Sequence, residues 1–298
     1  MKLNLINLKL VRKFSALAII STLCILFASC QKSNNGNIKA QEIDFKAYNN
    51  IGVVHNRTVD SMYNLLLVMK TNHQLNTSKS ALASFVNTSI INGLKSKGEK
   101  LQTINSINTS MDWDLNVTKA NHGIKVNSTT DLTTKSLYSD SLAAHLTIKQ
   151  KQLLDKLLLV MTDESSSFES TLVQISDLEA NAKANLSEDE LPVIFVSTAI
   201  ARNTLQYWHD NLDKWVALLD NGKQSTQGLK THLAEASGPG FSWRNVGASD
   251  VAGGAGAAVT TWWLNTAVGY GQVAYGTAIG SAAAGASVGN AIYQLLSN

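Results

Sequence analysis

The chain has 298 residues, of which 44% are hydrophobic and 16% charged, with two Pro and two Cys. This composition supports one or two domains with a core and excludes a collagen-like, a disulfide-dense or a wholly disordered protein. The formal net charge is +3, but four of the 25 basic residues lie in residues 1–29, leaving 21 against 22 acidic residues. The charge therefore indicates neither a nucleic-acid partner nor an acidic substrate.

Residues 1–29 are predicted to be a lipoprotein signal peptide. A basic stretch ending at Lys13 precedes an apolar run from Phe14 to Ala28, which is shorter than the roughly 20 residues of a membrane-spanning helix. Small residues at positions 28 and 29 stand directly before Cys30. This order resembles a lipobox, in which a peptidase cleaves before a diacylglyceryl-modified cysteine. We expect lipidation at Cys30, with an ordinary secretory signal as the alternative.

Cleavage would leave Cys30 as the only thiol, because Cys24 lies within the signal peptide. An intramolecular disulfide is then impossible, and the fold depends on its hydrophobic core. Residues 30–40 are polar and are predicted to form a tether between the lipid anchor and the folded part of the chain.

Residues 41–222 are predicted to form an antiparallel helical bundle, because apolar residues recur there at helical spacing. The predicted helices cover residues 43–69, 79–94, 153–161, 168–182 and 191–219, and Gly98 is expected to end the second. The inward face of the first helix is predicted to consist of Ile51, Val54, Thr58, Met62, Leu65 and Met69. Residues 111–136 are predicted to be a loop, with a small β-hairpin as the alternative.

Three capping boxes mark helix starts in the second half of this region. In each box a hydroxyl can accept the third helical N–H while an acid or amide bonds back to the cap. The pairs are Thr147 with Gln150, Ser166 with Glu169, and Ser187 with Glu190.

The C-terminal part of the chain differs sharply in composition. After a predicted linker over 223–245, residues 246–298 are predicted to be a Gly/Ala-rich helical hairpin that turns at Gly269-Tyr270-Gly271. The 48 residues that follow Asp250 contain nine Gly, twelve Ala and no charged residue. Each helical Gly costs about 1 kcal/mol relative to Ala, so we expect tight helix contacts to offset this cost. The candidate packing residues, in GxxxG spacing, are Gly276, Gly280, Gly285 and Gly289.

The sequence resembles a group of uncharacterised exported proteins of Bacteroidota. The resemblance consists of the helical body, the Tyr-Trp element in residues 203–208 and the terminal Gly/Ala-rich tract. That tract is also similar to the glycine-zipper segments of membrane-associated proteins and of bacteriocin-like peptides. The resemblance implies a lipid-anchored protein of the bacterial cell envelope. Surface-exposed lipoproteins of that group carry acidic residues just after the cysteine, and their absence here favours a periplasm-facing position.

Motifs for catalysis and metal binding are not found. The six histidines never stand three to five residues apart, and no HExxH, GxSxG or phosphate-loop motif occurs. We therefore expect neither a metal nor a cofactor. The most enzyme-like cluster is His209-Asp210, but helical spacing places both residues outside a predicted core seam. That seam comprises Leu205, Trp208, Leu212, Trp215 and Leu219.

Two short Asp-Ser-apolar tripeptides resemble O-glycosylation sites of Bacteroidota and would modify Ser61 and Ser141. Three interpretations of the function remain open. The first is a lipoprotein of binding or structural type, anchored to the bilayer through Cys30. The second is a membrane-active or pore-forming protein that inserts or self-associates through residues 251–296. The third is a hydrolase-type enzyme.

Overall fold

The computed structural model describes residues 45–76, 78–99, 104–105, 144–219, 243–265 and 276–295. Within these ranges the regular secondary structure is entirely helical, which confirms the prediction of an all-α fold. The helices are α1 (Phe45–Thr71), α2 (Lys79–Ser96), α3 (Ile148–Thr162), α4 (Phe168–Asn185), α5 (Leu191–Leu219), α6 (Trp243–Asn265) and α7 (Gly276–Leu295). The predicted signal peptide, tether, loop 111–136 and hairpin turn lie outside the described residues, as do Cys30 and Ser141.

Only one of the three predicted capping boxes forms completely. Thr147 and Gln150 form the predicted capping box at α3. At α4 the prediction is wrong by one residue, because Ser167 is the cap and accepts the N–H of Ser170. Ser166, which the pattern assigned to the cap, instead donates its hydroxyl to Oδ2 of Asp163 at 2.6 Å. Ser166 therefore belongs to the turn before the helix.

The third box is half formed. The Glu190 carboxylate accepts the backbone N–H of Ser187 at 3.0 Å, as predicted. The Ser187 hydroxyl, however, donates to the same carboxylate at 2.8 Å. The helix after this turn begins at Leu191, and Pro192 lies in its first turn, where a missing N–H costs least.

Helix α5 lies at the centre of the molecule. Every residue from Leu191 to Ala201 is buried, as expected for a helix that is apolar on all sides and surrounded by others. It packs against α1, α3, α4, α6 and α7. Farther along, Trp208 and Trp215 are fully buried with their rings 5.5 Å apart. The predicted core seam is confirmed except at Leu212, which is half-buried.

Helix α1 is covered from two sides, by α5 and by α7. Its buried stripe is therefore wider than the predicted face and is rotated from it. Three of the six residues predicted to be inward are only half-buried: Val54, Leu65 and Met69. His55, Val59 and Leu66 are fully buried instead. The predicted face differs because it assumed that only one side of α1 is covered.

Helix α1 runs parallel to α5. Contacts between the two helices advance together along both: Gly52 faces Ala199, Asp60 accepts the hydroxyl of Tyr207 at 3.0 Å, and Lys70 binds the end of α5. A Cβ on Gly52 would lie 2.5 Å from the carbonyl oxygen of Ala199, so only glycine permits this approach.

The C-terminal helices α6 and α7 pack against each other and are part of the core. Asn290 of α7 donates to the carbonyl oxygen of Asn245 in α6 at 3.1 Å, which fixes their antiparallel arrangement. Helix α6 also packs on α3 and α5, and α7 on α1, α2 and α5. Apolar residues of both helices belong to the same buried cluster as those of the N-terminal helices. Within the described residues, no helix combines the length and the hydropathy of a membrane-spanning segment.

Candidate functional site

Four polar side chains meet in the interior where α1, α5, α6 and α7 converge. We call this cluster, formed by His55, Thr204, Asp250 and Ser287, the buried polar centre. The side chains of His55 and Asp250 are both 0% exposed, and Thr204 and Ser287 are equally closed to solvent. Such a cluster is costly to bury unless its groups satisfy one another. The contacts among these four side chains therefore determine whether the buried polar centre is stable and which of its groups carry protons.

His55 and Asp250 are the ionisable pair of this centre. Nε2 of His55 lies 3.3 Å from Oδ2 of Asp250. Thr204 donates its hydroxyl to the same carboxylate oxygen. Nε2 of His55 and Oδ1 of Asp250 have no hydrogen-bond partner. The pair thus combines one close polar contact with two buried atoms whose bonding capacity is not used.

The other side of the imidazole is fixed by two asparagines. Nδ1 of His55 lies 2.8 Å from Oδ1 of Asn56. The amide nitrogen of Asn56 donates to the carbonyl oxygen of Asn203 at 2.9 Å. Because that amide nitrogen is engaged with Asn203, the atom facing the imidazole is an oxygen, which can only accept. Nδ1 of His55 must therefore carry hydrogen.

Burial dominates the electrostatics of Asp250. It raises the pKa of the Asp250 carboxyl above its ordinary value, since the charged form loses its hydration. A charge on His55 and the polar side chains of His55, Thr204 and Ser287 beside the carboxyl act in the opposite direction and lower the pKa. Ser287 also accepts the indole N–H of Trp208 at 2.9 Å, which ties the centre to the aromatic core.

A second buried polar contact anchors the beginning of α6. The guanidinium of Arg244, 2% exposed, donates to the hydroxyl of Thr171 at 3.2 Å and to the carbonyl oxygen of Ser166. Burial lowers the pKa of Arg244, while the nearby carboxylates of Asp163 and Glu164 raise it. Arg244 thus fixes α6 to the connection between α3 and α4.

The enzyme-like pair of the sequence lies on the surface. His209 and Asp210 have exposed side chains (55% and 50%), and Nδ1 of His209 is 2.9 Å from Oδ1 of Asp210. The imidazole stacks on the ring of Phe168 with 4.7 Å between the centroids. Hydrogen bonds from His209 and Gln206 lower the pKa of Asp210. Solvent surrounds this pair, so neither side chain has the desolvated setting that activates a catalytic acid or base.

The candidate packing glycines lie in two settings. Gly276 and Gly280 face α1, where the carbonyl oxygen of Ile51 would be 2.8 Å from a Cβ on Gly280. Gly285 and Gly289 are buried in the same helix. The small-residue face at the start of α7 is therefore occupied by a helix of the N-terminal region rather than by α6.

The candidate glycosylation residue Ser61 lies on α1 and is half-buried, with its hydroxyl donating to the carbonyl oxygen of Arg57 at 2.8 Å. It lines a groove between α1 and α2 whose floor includes Ser281 of α7. Across the described ranges, no group of three or more His, Cys, Asp or Glu side chains is placed to hold a metal ion.

Sequence analysis missed the buried polar centre. Its one signal was the position of Asp250, a carboxylate at the edge of 48 residues without charge. A lone acid beside such a segment points to a buried partner, but nothing in the sequence identifies His55 as that partner. Comparisons with protein-family models, curated proteins and solved structures find no match to this chain.

Proposed function

We propose that this protein is a lipid-anchored component of the bacterial cell envelope, of binding or structural type rather than an enzyme. Its C-terminal Gly/Ala-rich hairpin serves as an internal framework of the folded domain. The observation that carries this proposal is the contact between α7 and α1. The small-residue face that could associate with a membrane or with another copy is covered by a helix of the same chain.

The chemistry of the described residues also favours a non-enzymatic role. Of the His–Asp contacts described above, His55 with Asp250 is sealed from solvent and His209 with Asp210 lies on an open surface. A substrate cannot reach the first, and the second lacks a setting that would shift either group towards catalysis. A binding or structural role needs only the rigid helical surface.

Attachment to the envelope is proposed from the leader and Cys30. Two acyl chains on the cysteine would bind a bilayer stably, whereas a single chain gives only reversible attachment. The resemblance to exported proteins of Bacteroidota supports the same position, and the residues after Cys30 favour the periplasmic side. The polar residues 30–40 would hold the folded domain away from the lipid surface.

The test compares the protein isolated from bacterial membranes with a Cys30→Ser variant produced without residues 1–29, because loss of the lipidated cysteine would otherwise prevent cleavage of the signal peptide. Intact mass should show acylated protein that begins at Cys30. On vesicles loaded with a self-quenching dye, the acylated protein should bind without releasing dye. The Cys30→Ser variant should stay in solution with an unchanged circular dichroism spectrum, because it keeps the same fold and loses only the acyl chains.

Dye release would overturn the proposal in favour of the membrane-active alternative, in which residues 251–296 leave the bundle and insert. Binding of the Cys30→Ser variant to vesicles would have the same meaning, since only the hairpin could then hold it there. A mature protein with an unmodified Cys30 thiol would refute the lipid anchor. Hydrolytic activity lost on substitution of His209 would favour an enzyme.

A further inference from the structure

The buried polar centre contains an electrostatic conflict that a proton resolves. Nε2 of His55 and Oδ2 of Asp250 are 3.3 Å apart in an interior closed to water. Hydrogen on Nδ1, which the contact with Asn56 requires, leaves Nε2 of a neutral imidazole with a bare lone pair. An ionised carboxylate beside it would add a second bare acceptor. Two acceptors at this distance repel each other strongly in a medium of low dielectric constant.

We propose that His55 and Asp250 share one proton, and that this proton locks the C-terminal helix α6 to the N-terminal helix α1. With the proton on Nε2, the pair is an imidazolium and a carboxylate. With the proton on the carboxyl, both groups are neutral. In either form the pair has zero net charge, which is the state that a dry interior tolerates best. This inference concerns a conformational lock and does not depend on the proposed function.

The surrounding helices supply no other titratable group to the described contacts of the pair. Helix α5 contributes the hydroxyl of Thr204, and α7 that of Ser287. Helix α3 approaches the same part of α6 with the methyl group of Met161, which a Cβ on Gly247 would meet. Asp250 therefore depends on His55 for its charge balance, and the proton of the pair is held by these two residues alone.

The sign of the pH effect follows from proton counting. In the unfolded chain above neutral pH, a free imidazole and a free carboxyl hold no proton between them. The folded pair holds one. Stability therefore falls as the pH rises through this range, and the unfolding constant increases by up to about tenfold per pH unit. The raised pKa of the Asp250 carboxyl changes stability in the same direction. Its contribution to the free energy of unfolding is present at low pH and is lost as the pH rises and the carboxyl ionises.

The experiment measures denaturant unfolding of the full chain at several pH values between 6 and 9. Asp250→Asn replaces the carboxyl by a neutral group of the same shape, whose amide N–H can donate to Nε2 without titration. The wild type should lose stability relative to Asp250→Asn as the pH rises, by about tenfold in the unfolding constant per unit. The matched control is Asp210→Asn, which alters the exposed His–Asp pair and should follow the wild type.

An identical pH dependence in wild type and Asp250→Asn would overturn the proposal. Should Asp250→Asn fail to fold, nitrogen-15 NMR of histidine-labelled wild type tests the proposal instead. The His55 ring should carry hydrogen on Nδ1 throughout, with Nε2 either protonated or accepting the hydrogen of the Asp250 carboxyl. A ring with hydrogen on Nε2 alone would refute the assignment. A stoichiometric metal ion in the purified protein would also refute it, because a cation would then occupy the place of the proton.

Discussion

The contact of Gly280 with α1 gives the sharpest test of the packing. A Cβ at this position would lie 2.8 Å from the carbonyl oxygen of Ile51, 3.0 Å from Cγ1 of Val54 and 3.1 Å from the backbone nitrogen of His55. Two of these three atoms belong to the backbone of a helix. They cannot yield by a change of rotamer, so Gly280→Ala must push α1 and α7 apart.

The size of the effect is set by two opposing contributions. Alanine is favoured over glycine in a helix by about 1 kcal/mol. Overpacking of this kind costs about 1–3 kcal/mol, so Gly280→Ala should lose up to ~2 kcal/mol net, and Gly280→Leu more. The matched control is Gly276→Ala, one turn earlier in the same helix. Its Cβ would meet only the side chain of Ile51, with Cγ1 at 3.1 Å and Cδ1 at 3.8 Å, and this side chain can move.

Thermal unfolding monitored by circular dichroism at 222 nm should separate the two variants. In a domain of this size 1 kcal/mol corresponds to about 2–4 °C in Tm. Gly280→Ala should therefore lower Tm by several degrees, Gly280→Leu should lower it further, and Gly276→Ala should leave it unchanged or slightly higher. Equal Tm values for all three variants and the wild type would show that α7 does not pack on α1 at Gly280, and the reasoning would be refuted.

Three further predictions concern other sites. Arg244→Met should reduce the free energy of unfolding by about 2–4 kcal/mol in denaturant titrations, because the half-buried carbonyl oxygen of Ser166 and the buried hydroxyl of Thr171 lose a donor; no change would contradict the proposed anchor of α6. Thr147→Ala removes the hydroxyl of the capping box at α3 and should cost about 1 kcal/mol, measured in the same way. Mass spectrometry of native peptides should find glycan at Ser61 and Ser141, and unmodified peptides at both would reject the glycosylation hypothesis.

The helices themselves could be predicted from the sequence because their signals are local. Helix α5 begins at Leu191 and ends at Leu219 as predicted, since an apolar spacing of 3.6 residues continues over its whole length. The burial of Trp208 and Trp215 follows from that spacing alone. The choice between Ser166 and Ser167 as a cap was less certain from sequence, because adjacent serines compete for the turn and for the helix.

The buried polar centre could not be predicted because its residues meet only through the tertiary arrangement. His55 and Asp250 are on helices far apart in the sequence, and their contact depends on the position of α1 between α5 and α7. Helical periodicity gives the face of a helix, not the identity of the helix it will meet. For the same reason the GxxxG spacing of Gly276 and Gly280 predicted a close contact without identifying α1 as the partner.

The parallel placement of α1 beside α5 and α7 also determines when the domain can fold. Helix α1 leaves the ribosome before the other described helices, yet its partners on both sides are far downstream, and α7 is the final described helix. Such contacts of high sequence separation form slowly, because a long loop must close before they contribute. The apolar stripe of α1 therefore stays without its α7 partner until the C-terminal helices have been synthesised. A chain truncated before Gly276 would expose this stripe permanently and be prone to aggregation and proteolysis.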